Sequence, residues 1–267
     1  MKPKIIKVKA KTIFTKTKLP GCDFTINQYV GCGQACLYCY SKFMCRWKPY
    51  GKWGTWVEIK ENAPELVKGK YVKGWVWMSS VSDPYQPIEK ELKLTRSVLA
   101  NMNKRIKLAI QTKSDLVLRD IDLFKKFKNI EIGFTINSFE GKIKKLFEPF
   151  SPTHKERINA LKILKKNNLK TYAFISPIIP DLVDVKKVIR ESKDFVGYFW
   201  FEALNLKASG EEFTNLLKTK FPKSYEIMIN QEKFYEFLEN LKDIIKKENI
   251  KVAGIEIHSP KWQTIKV

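Results

Sequence analysis

Five cysteines, Cys22, Cys32, Cys36, Cys39 and Cys45, lie inside one 24-residue window, and the 222 residues after Cys45 hold none. An odd number of thiols in a chain without an export signal argues against a disulfide framework and for a metal or cluster. Within the window, Cys32-x3-Cys36-x2-Cys39 sets three thiolates in eight residues, on a loop to which Gly31 and Gly33 give backbone freedom. Three thiolates so spaced suit three corners of an iron–sulfur cube and leave the fourth iron open. An open iron is useful when a small molecule must chelate it, as the amino and carboxylate groups of S-adenosylmethionine do, and such a site serves radical chemistry. The competing reading is a four-thiolate zinc site. Those sites normally show two Cys-x2-Cys pairs; here only Cys36 and Cys39 form one, and Cys22 or Cys45 would have to complete the set. His154 and His258, the two histidines, lie far along the chain and read as long-range ligands or as surface side chains.

The stretch NQYVGCGQACLYCYSKFM, residues 27–44, resembles the radical S-adenosylmethionine superfamily. That loop carries Cys-x3-Cys-x2-Cys with an aromatic residue before the third cysteine, and Tyr38 fills the aromatic position. Further stretches, including SSVSDPYQPIEKELKLTR (79–96) and EIGFTINSFEGKIKKLFEPFSPTHKERINALKIL (131–164), resemble its spore photoproduct lyase-related, DNA repair photolyase-like branch. The resemblance spans residues 20–205. It implies a 4Fe-4S cluster on Cys32, Cys36 and Cys39, S-adenosylmethionine as cofactor, and a separate electron donor protein or reductant. Reductive cleavage of the sulfonium would then give a 5′-deoxyadenosyl radical.

These residues need a scaffold, and the middle of the chain alternates β-rich runs with amphipathic stretches, the pattern of βαβ units around a parallel sheet. Strands are expected at 24–29, 74–79, 106–111, 130–136, 170–176 and 196–203, with helices at 88–102, 116–127, 153–167 and 182–192. This α/β pattern suits the partial (β/α)6 TIM-type barrel that the resemblance implies, with the site at the carboxyl ends of the strands. Residues 211–247 read as one or two further helices broken near Phe221-Pro222, and 251–257 as a last strand. Three segments follow: a basic strand or arm at 1–19, the barrel at 20–205, and a C-terminal helical extension with its strand at 206–267.

Strand ends supply the remaining candidates. Ser79, Ser80, Ser82 and Asp83 follow the apolar run Trp75–Met78, where the resemblance implies an acceptor for the methionine amino group; the plainer reading is an Asp-Pro turn cap. Lys113, Ser114, Asn137 and Ser138 end the next two strands and would hold a ribose; the plainer reading is helix capping, by Ser138 for 139–147 and by Asp115 for the following helix. Arg157 would clamp the cofactor carboxylate, or be an ordinary surface arginine. Ser176 and the run Pro177–Pro180 would support adenine through the backbone. Tyr40 takes over, by resemblance, a role in hydrogen-atom relay. Tyr85, Gln86, Trp47, Trp53 and Trp56 would offer faces to an unpaired base, or pack in the core. One departure stands out: where spore photoproduct lyases carry a hydrogen-donating cysteine, Ser80 stands here.

Fifty basic residues against 28 acidic ones give a net charge of +22, beyond what solubility needs and suited to a polyanion. Only six of the basic residues are arginine, so attraction to a phosphate backbone is expected more than reading of base edges. The 44% hydrophobic content excludes a disordered chain. No run reaches the length of a membrane span, so no membrane partner is expected and the chain reads as cytoplasmic. Three functions are consistent with these features: a radical enzyme on nucleic acid, either repairing a DNA lesion or modifying an RNA base; the same chemistry on a peptide, protein or small molecule; and a non-enzymatic zinc-dependent nucleic-acid binder.

Overall fold

A computed structural model describes residues 2–259 and 261–266. Among the described residues the strands are, in chain order, β1 (Lys4–Val8), β2 (Phe14–Lys16), β3 (Phe24–Ile26), β4 (Tyr29–Val30), β5 (Trp56–Lys60), β6 (Trp75–Met78), β7 (Lys107–Thr112), β8 (Asn129–Ile136), β9 (Lys170–Ile178), β10 (Tyr198–Ala203), β11 (Val252–Ile257) and β12 (Gln263–Ile265). A nine-stranded sheet runs in the order β12-β11-β10-β9-β8-β7-β6-β3-β2, and a three-stranded sheet in the order β1-β5-β4. Every pair from β3 through β6, β7, β8, β9 and β10 to β11 is parallel, while β2 and β12 close the two edges antiparallel. The fold is therefore the partial TIM-type barrel, with one more parallel strand than the expected six.

Period-two patterning builds its two faces. On β8, Ile130, Ile132, Phe134 and Ile136 are all buried and belong to the continuous core between sheet and outer helices. On β10, Phe199, Phe201 and Ala203 are buried while Tyr198, Trp200 and Glu202 on the alternate face are half-buried. Each large apolar side chain sequestered in this way contributes roughly 1.5–3 kcal/mol. The helix His154–Lys166 begins with a capping box, Thr153 accepting from the Glu156 backbone N–H while the Glu156 carboxylate accepts from Thr153 N–H, and it buries Ala160, Leu161 and Leu164. Among the described residues no helix is long and apolar enough to cross a membrane.

Several boundaries differ from the sequence expectation for identifiable reasons. The run 24–29 divides: β3 joins the large sheet, and β4 turns away to pair with β5. Asn27, at the turn, receives the Ser80 and Val81 backbone N–H groups on Oδ1 (2.8 and 3.2 Å). The helix expected at 88–102 is broken at Lys93, in the left-handed region with φ 51°, into Glu89–Leu92 and Leu94–Asn101. Buried Glu89 accepts the Thr95 and Arg96 backbone N–H groups (2.9 and 3.3 Å) and so caps the second piece. The stretch 116–127 forms a 3-10 turn, Asp115–Asp120, followed by the short helix Ile121–Phe124. At the N-terminus β1 pairs in parallel with β5, so this stretch is strand and not loose arm. The last strand β11 lies parallel beside β10, which makes the C-terminal segment part of the barrel sheet.

Candidate active site

Cys32, Cys36 and Cys39 line one cavity of about 110 Å³ together with Ser79, Ser80, Ser82 and Asp83 after β6, Thr112 and Lys113 at the end of β7, and Thr135 on β8. The loop that presents the thiols is tightly specified. Gly31 has φ +83°, and a side chain there would meet the Trp56 carbonyl at 2.7 Å, so glycine is required. Gly33 is not in a left-handed conformation; its N–H donates to Gln86 Oε1 at 2.7 Å. Gln86 also donates to the Gly31 carbonyl (3.2 Å) and to Ser82 Oγ (2.7 Å), and Ser82 donates to the same carbonyl (2.7 Å). The Cys39 N–H closes a turn onto the Cys36 carbonyl at 3.2 Å, and Leu37 N–H anchors the loop on Phe147 O at 2.8 Å.

Asp83 ties this loop to the barrel. Its Oδ1 accepts from Tyr85 N–H (2.8 Å) and Thr112 Oγ1 (2.6 Å), and its Oδ2 from Lys113 N–H (2.8 Å) and Gln34 Nε2 (3.0 Å). It is therefore both a turn cap and a wall of the cavity. Burial pushes all three thiols up, Cys36 to about 12, while the Lys113 ammonium acts in the opposite direction on Cys36 and Cys39. Burial works against the charge on Lys113 itself, but Cys36 and Glu148 outweigh it and its pKa ends raised.

The donor set fits a cubic cluster with a chelating co-substrate. Three thiols line one cavity, and the Lys113 ammonium beside Cys36 and Cys39 favours the thiolate form that ligation requires. Two residues that line the same cavity carry buried polar atoms, Trp53 Nε1 and Ser79 Oγ, with no hydrogen-bond partner among the described residues, and such orphans call for a ligand atom. Among the described residues no three His, Cys, Asp or Glu side chains converge as a single ion requires. Cys22, whose thiol faces the Leu19 carbonyl, and Cys45, on a short helix, stand outside the cavity lining. The four-thiolate zinc alternative thus lacks a site.

Other sequence candidates sit elsewhere. Arg157 is fully buried, not at the surface, and its donors are committed: to the Thr135 carbonyl (3.1 Å), the Pro152 carbonyl (2.8 Å), Ser151 Oγ (2.9 Å) and the Glu148 carboxylate. Arg157 does not line the thiol cavity, and these contacts turn it toward Glu148 rather than toward a cofactor carboxylate. Tyr38 donates to Glu148 and packs edge-on against Phe213, and Asn137 donates to Glu148 at 2.8 Å. The opposing charge of Arg157 and Lys113 overcomes burial and holds the Glu148 carboxyl down at about 2. These residues brace the site from behind. Ser114, rather than Asp115, caps the turn after β7, and Ser138 caps no helix: its Oγ accepts from Asp184 N–H at 2.7 Å, fastening the next loop. Tyr85 is buried on Asp120, Trp56 is core, and Gln86 is a loop clamp, so none offers a stacking face; Trp47 is 75% exposed. His154 is buried between the Asn137 carbonyl and Glu191.

Tyr40 donates to the Ser80 carbonyl and borders two cavities, the thiol-lined one and a neighbouring chamber of about 310 Å³ that shares Ser79, Ser80 and Gln111 with it. Sequence reasoning missed that chamber. Its walls include Trp77, Phe174 and Trp200, with Glu202, Glu256 and His258 among the polar groups. Ser176 lies beneath it, donating to Glu202 at 2.5 Å. The readable signal was the alternation along 172–176 and 198–203, which sets Phe174, Trp200 and Glu202 on the face opposite the core.

Comparison with known proteins agrees with this arrangement. An uncharacterised protein of Methanocaldococcus jannaschii is 56% identical over 257 residues, 96% of this chain and 99% of that one. Spore photoproduct lyase complexed with dinucleoside spore photoproduct superposes with a TM-score of 0.66 at 16% identity, covering 94% of this chain and 82% of that one. A variant of the lyase with bound AdoMet and the same dinucleoside superposes with a TM-score of 0.63 at 15% identity, over 93% of this chain and 80% of that one. The Radical SAM superfamily model matches residues 26–191, from the turn before the thiol loop to the helix after β9, and the chain belongs to that superfamily.

Proposed function

We propose that this chain is a radical S-adenosylmethionine enzyme that acts on a base of DNA or RNA, with Cys32, Cys36 and Cys39 holding a 4Fe-4S cluster. The family uses such a cluster with S-adenosylmethionine; together they supply, once reduced by one electron, a 5′-deoxyadenosyl radical that abstracts hydrogen. The observation that carries the reading is the three thiols on one cavity that shares Tyr40, Ser79, Ser80 and Gln111 with a larger chamber. In this reading the chain's own residues position and shield. Asp83 and Ser82 fix the cysteine loop to the strand ends, Trp53 and Ser79 offer their free polar atoms to the cofactor, and Lys113 keeps a positive charge beside the thiolates. Tyr40, at the junction of the two cavities, is the candidate for passing a hydrogen atom, since Ser80 supplies no thiol.

The nucleic-acid part rests on the net charge of +22 and on the dinucleoside bound by the lyase whose fold it shares. We take the enzyme to work in the cytoplasm with a separate electron donor. Anaerobic reconstitution tests the whole reading. Iron and 5′-deoxyadenosine release are expected in the parent, stimulated by RNA or DNA, and release is lost in Cys36→Ala. Absence of iron or of nucleoside release in the parent refutes the chemistry, and stimulation by peptides but not nucleic acids refutes the substrate class.

A further inference from the structure

We infer that the second chamber receives one flipped-out, amino-bearing base, adenine, guanine or cytosine, and reads it through Glu202; the inference rests on the nucleic-acid reading above. The chamber shares Tyr40, Ser79, Ser80 and Gln111 with the thiol-lined cavity, so whatever fills it lies against the cofactor site. Its volume of about 310 Å³ suits a single nucleoside. Aromatic faces form the walls. Trp200 lies 6.0 Å from Trp77 at an interplanar angle of 38° and 6.3 Å from Phe174 at 88°, an angled box in which a flat ring stacks.

The charge of the lining is opposite to that of the molecule. In a chain of net charge +22, no lysine or arginine among the described residues lines this chamber; its charged groups are Glu202 and Glu256, beside His258. Carboxylates repel phosphate, so the strand's backbone stays outside, and only a base enters. Glu256 is occupied in holding the walls: it accepts from Trp200 Nε1 (3.2 Å), Trp262 Nε1 (2.8 Å) and Thr264 Oγ1 (2.6 Å). Glu202 is oriented by two contacts, Ser176 Oγ at 2.5 Å and His258 Nε2 at 3.0 Å, and its side chain remains 22% exposed to the chamber, with lone pairs to spare. An ionised carboxylate only accepts, so it favours a base edge that presents an amino group, as in glutamate recognition of cytosine N4. Thymine and uracil flank their one N–H with two carbonyl oxygens, which would face the carboxylate. Trp262, 48% exposed and stacked on His258, marks the mouth through which the base enters.

The test uses the reconstituted full chain and fluorescein-labelled five-nucleotide strands, abasic except for a central adenine, cytosine, guanine or thymine, with binding followed by anisotropy at several salt concentrations. At least one amino-bearing strand is expected to bind about tenfold more tightly than the thymine strand. Glu202→Gln should shrink that preference below about threefold, with the salt slope unchanged because backbone contacts are untouched. A thymine strand bound as tightly as the other three, or a preference that survives Glu202→Gln, overturns the inference while leaving nucleic-acid binding intact. No salt-dependent binding of any strand, the fully abasic one included, overturns the nucleic-acid reading itself. Should Glu202→Gln fail to fold, the four strands on the parent protein decide alone.

Discussion

Replacing Arg157 by methionine separates a bracing role from a cofactor-clamping one. The guanidinium and the Glu148 carboxylate it meets are 1% and 0% exposed, and methionine fills similar space without charge. The substitution strands an ionised carboxylate in the core. Removing one partner of a buried pair costs about 3–5 kcal/mol, and each kcal/mol lowers Tm by about 2–4 °C in a chain approaching this size, so a fall of roughly 6–20 °C is expected. The double variant Glu148→Gln/Arg157→Met discards both charges and should recover most of that loss, because the penalty belongs to the unpaired ion and not to the absent attraction. Thermal and urea unfolding measure the stabilities, and calorimetric titration of S-adenosylmethionine into reconstituted protein measures affinity. If Arg157→Met keeps the parent's melting point but weakens cofactor binding tenfold or more, the guanidinium reaches the cofactor and the bracing argument is wrong.

Three further outcomes follow from the same geometry. Trp53→Phe removes an orphan donor, so it should leave stability unchanged or slightly raised while weakening S-adenosylmethionine binding by about 2–12-fold, one hydrogen bond's worth of about 0.5–1.5 kcal/mol; unaltered affinity in the titration would show that the indole does not touch the cofactor. Asp83→Ala strips acceptors from four donors at about 1–3 kcal/mol for each one left buried and unpaired, and reconstituted iron per chain should fall with it; full iron loading would mean the cysteine loop holds its shape unaided. Acid should weaken the parent through Glu148, whose folded pKa of about 2 lies below its ordinary 4.5: the stabilisation is complete above about 4.5 and is lost as pH falls toward 2. The Glu148→Gln/Arg157→Met double variant should show a flatter dependence over that window, and parallel curves in urea titrations would exclude the carboxyl as the source.

What could be read directly from the residues was what depends on short spacing. Three cysteines within eight positions share one cavity, and the alternation of apolar runs located the parallel strands. Positions became unreliable where a side chain's direction decided its role. Tyr38 and Arg157 both belong to motif-like segments, yet both turn toward Glu148, 110 residues from Tyr38 in the chain, and no local pattern announces that partnership. Asn137 and Ser138 show the same limit, since adjacent residues at a strand end point to opposite sides. The aromatic chamber was hidden for a related reason: its lining is gathered from Leu19 to Trp262, and only the barrel's closure brings those residues together.

The two cavities draw on the chain unequally. Everything around the thiols comes from residues 32–135, inside the span matched by the superfamily model, whereas eight of the chamber's fourteen lining residues fall outside it, six of them contributed by the last two parallel strands and the loops beyond. On the proposed reading, radical generation and target choice would draw on largely different stretches of polypeptide. Substitutions confined to the last two parallel strands and the loops beyond would then alter what the protein works on while leaving the thiol cavity as it is.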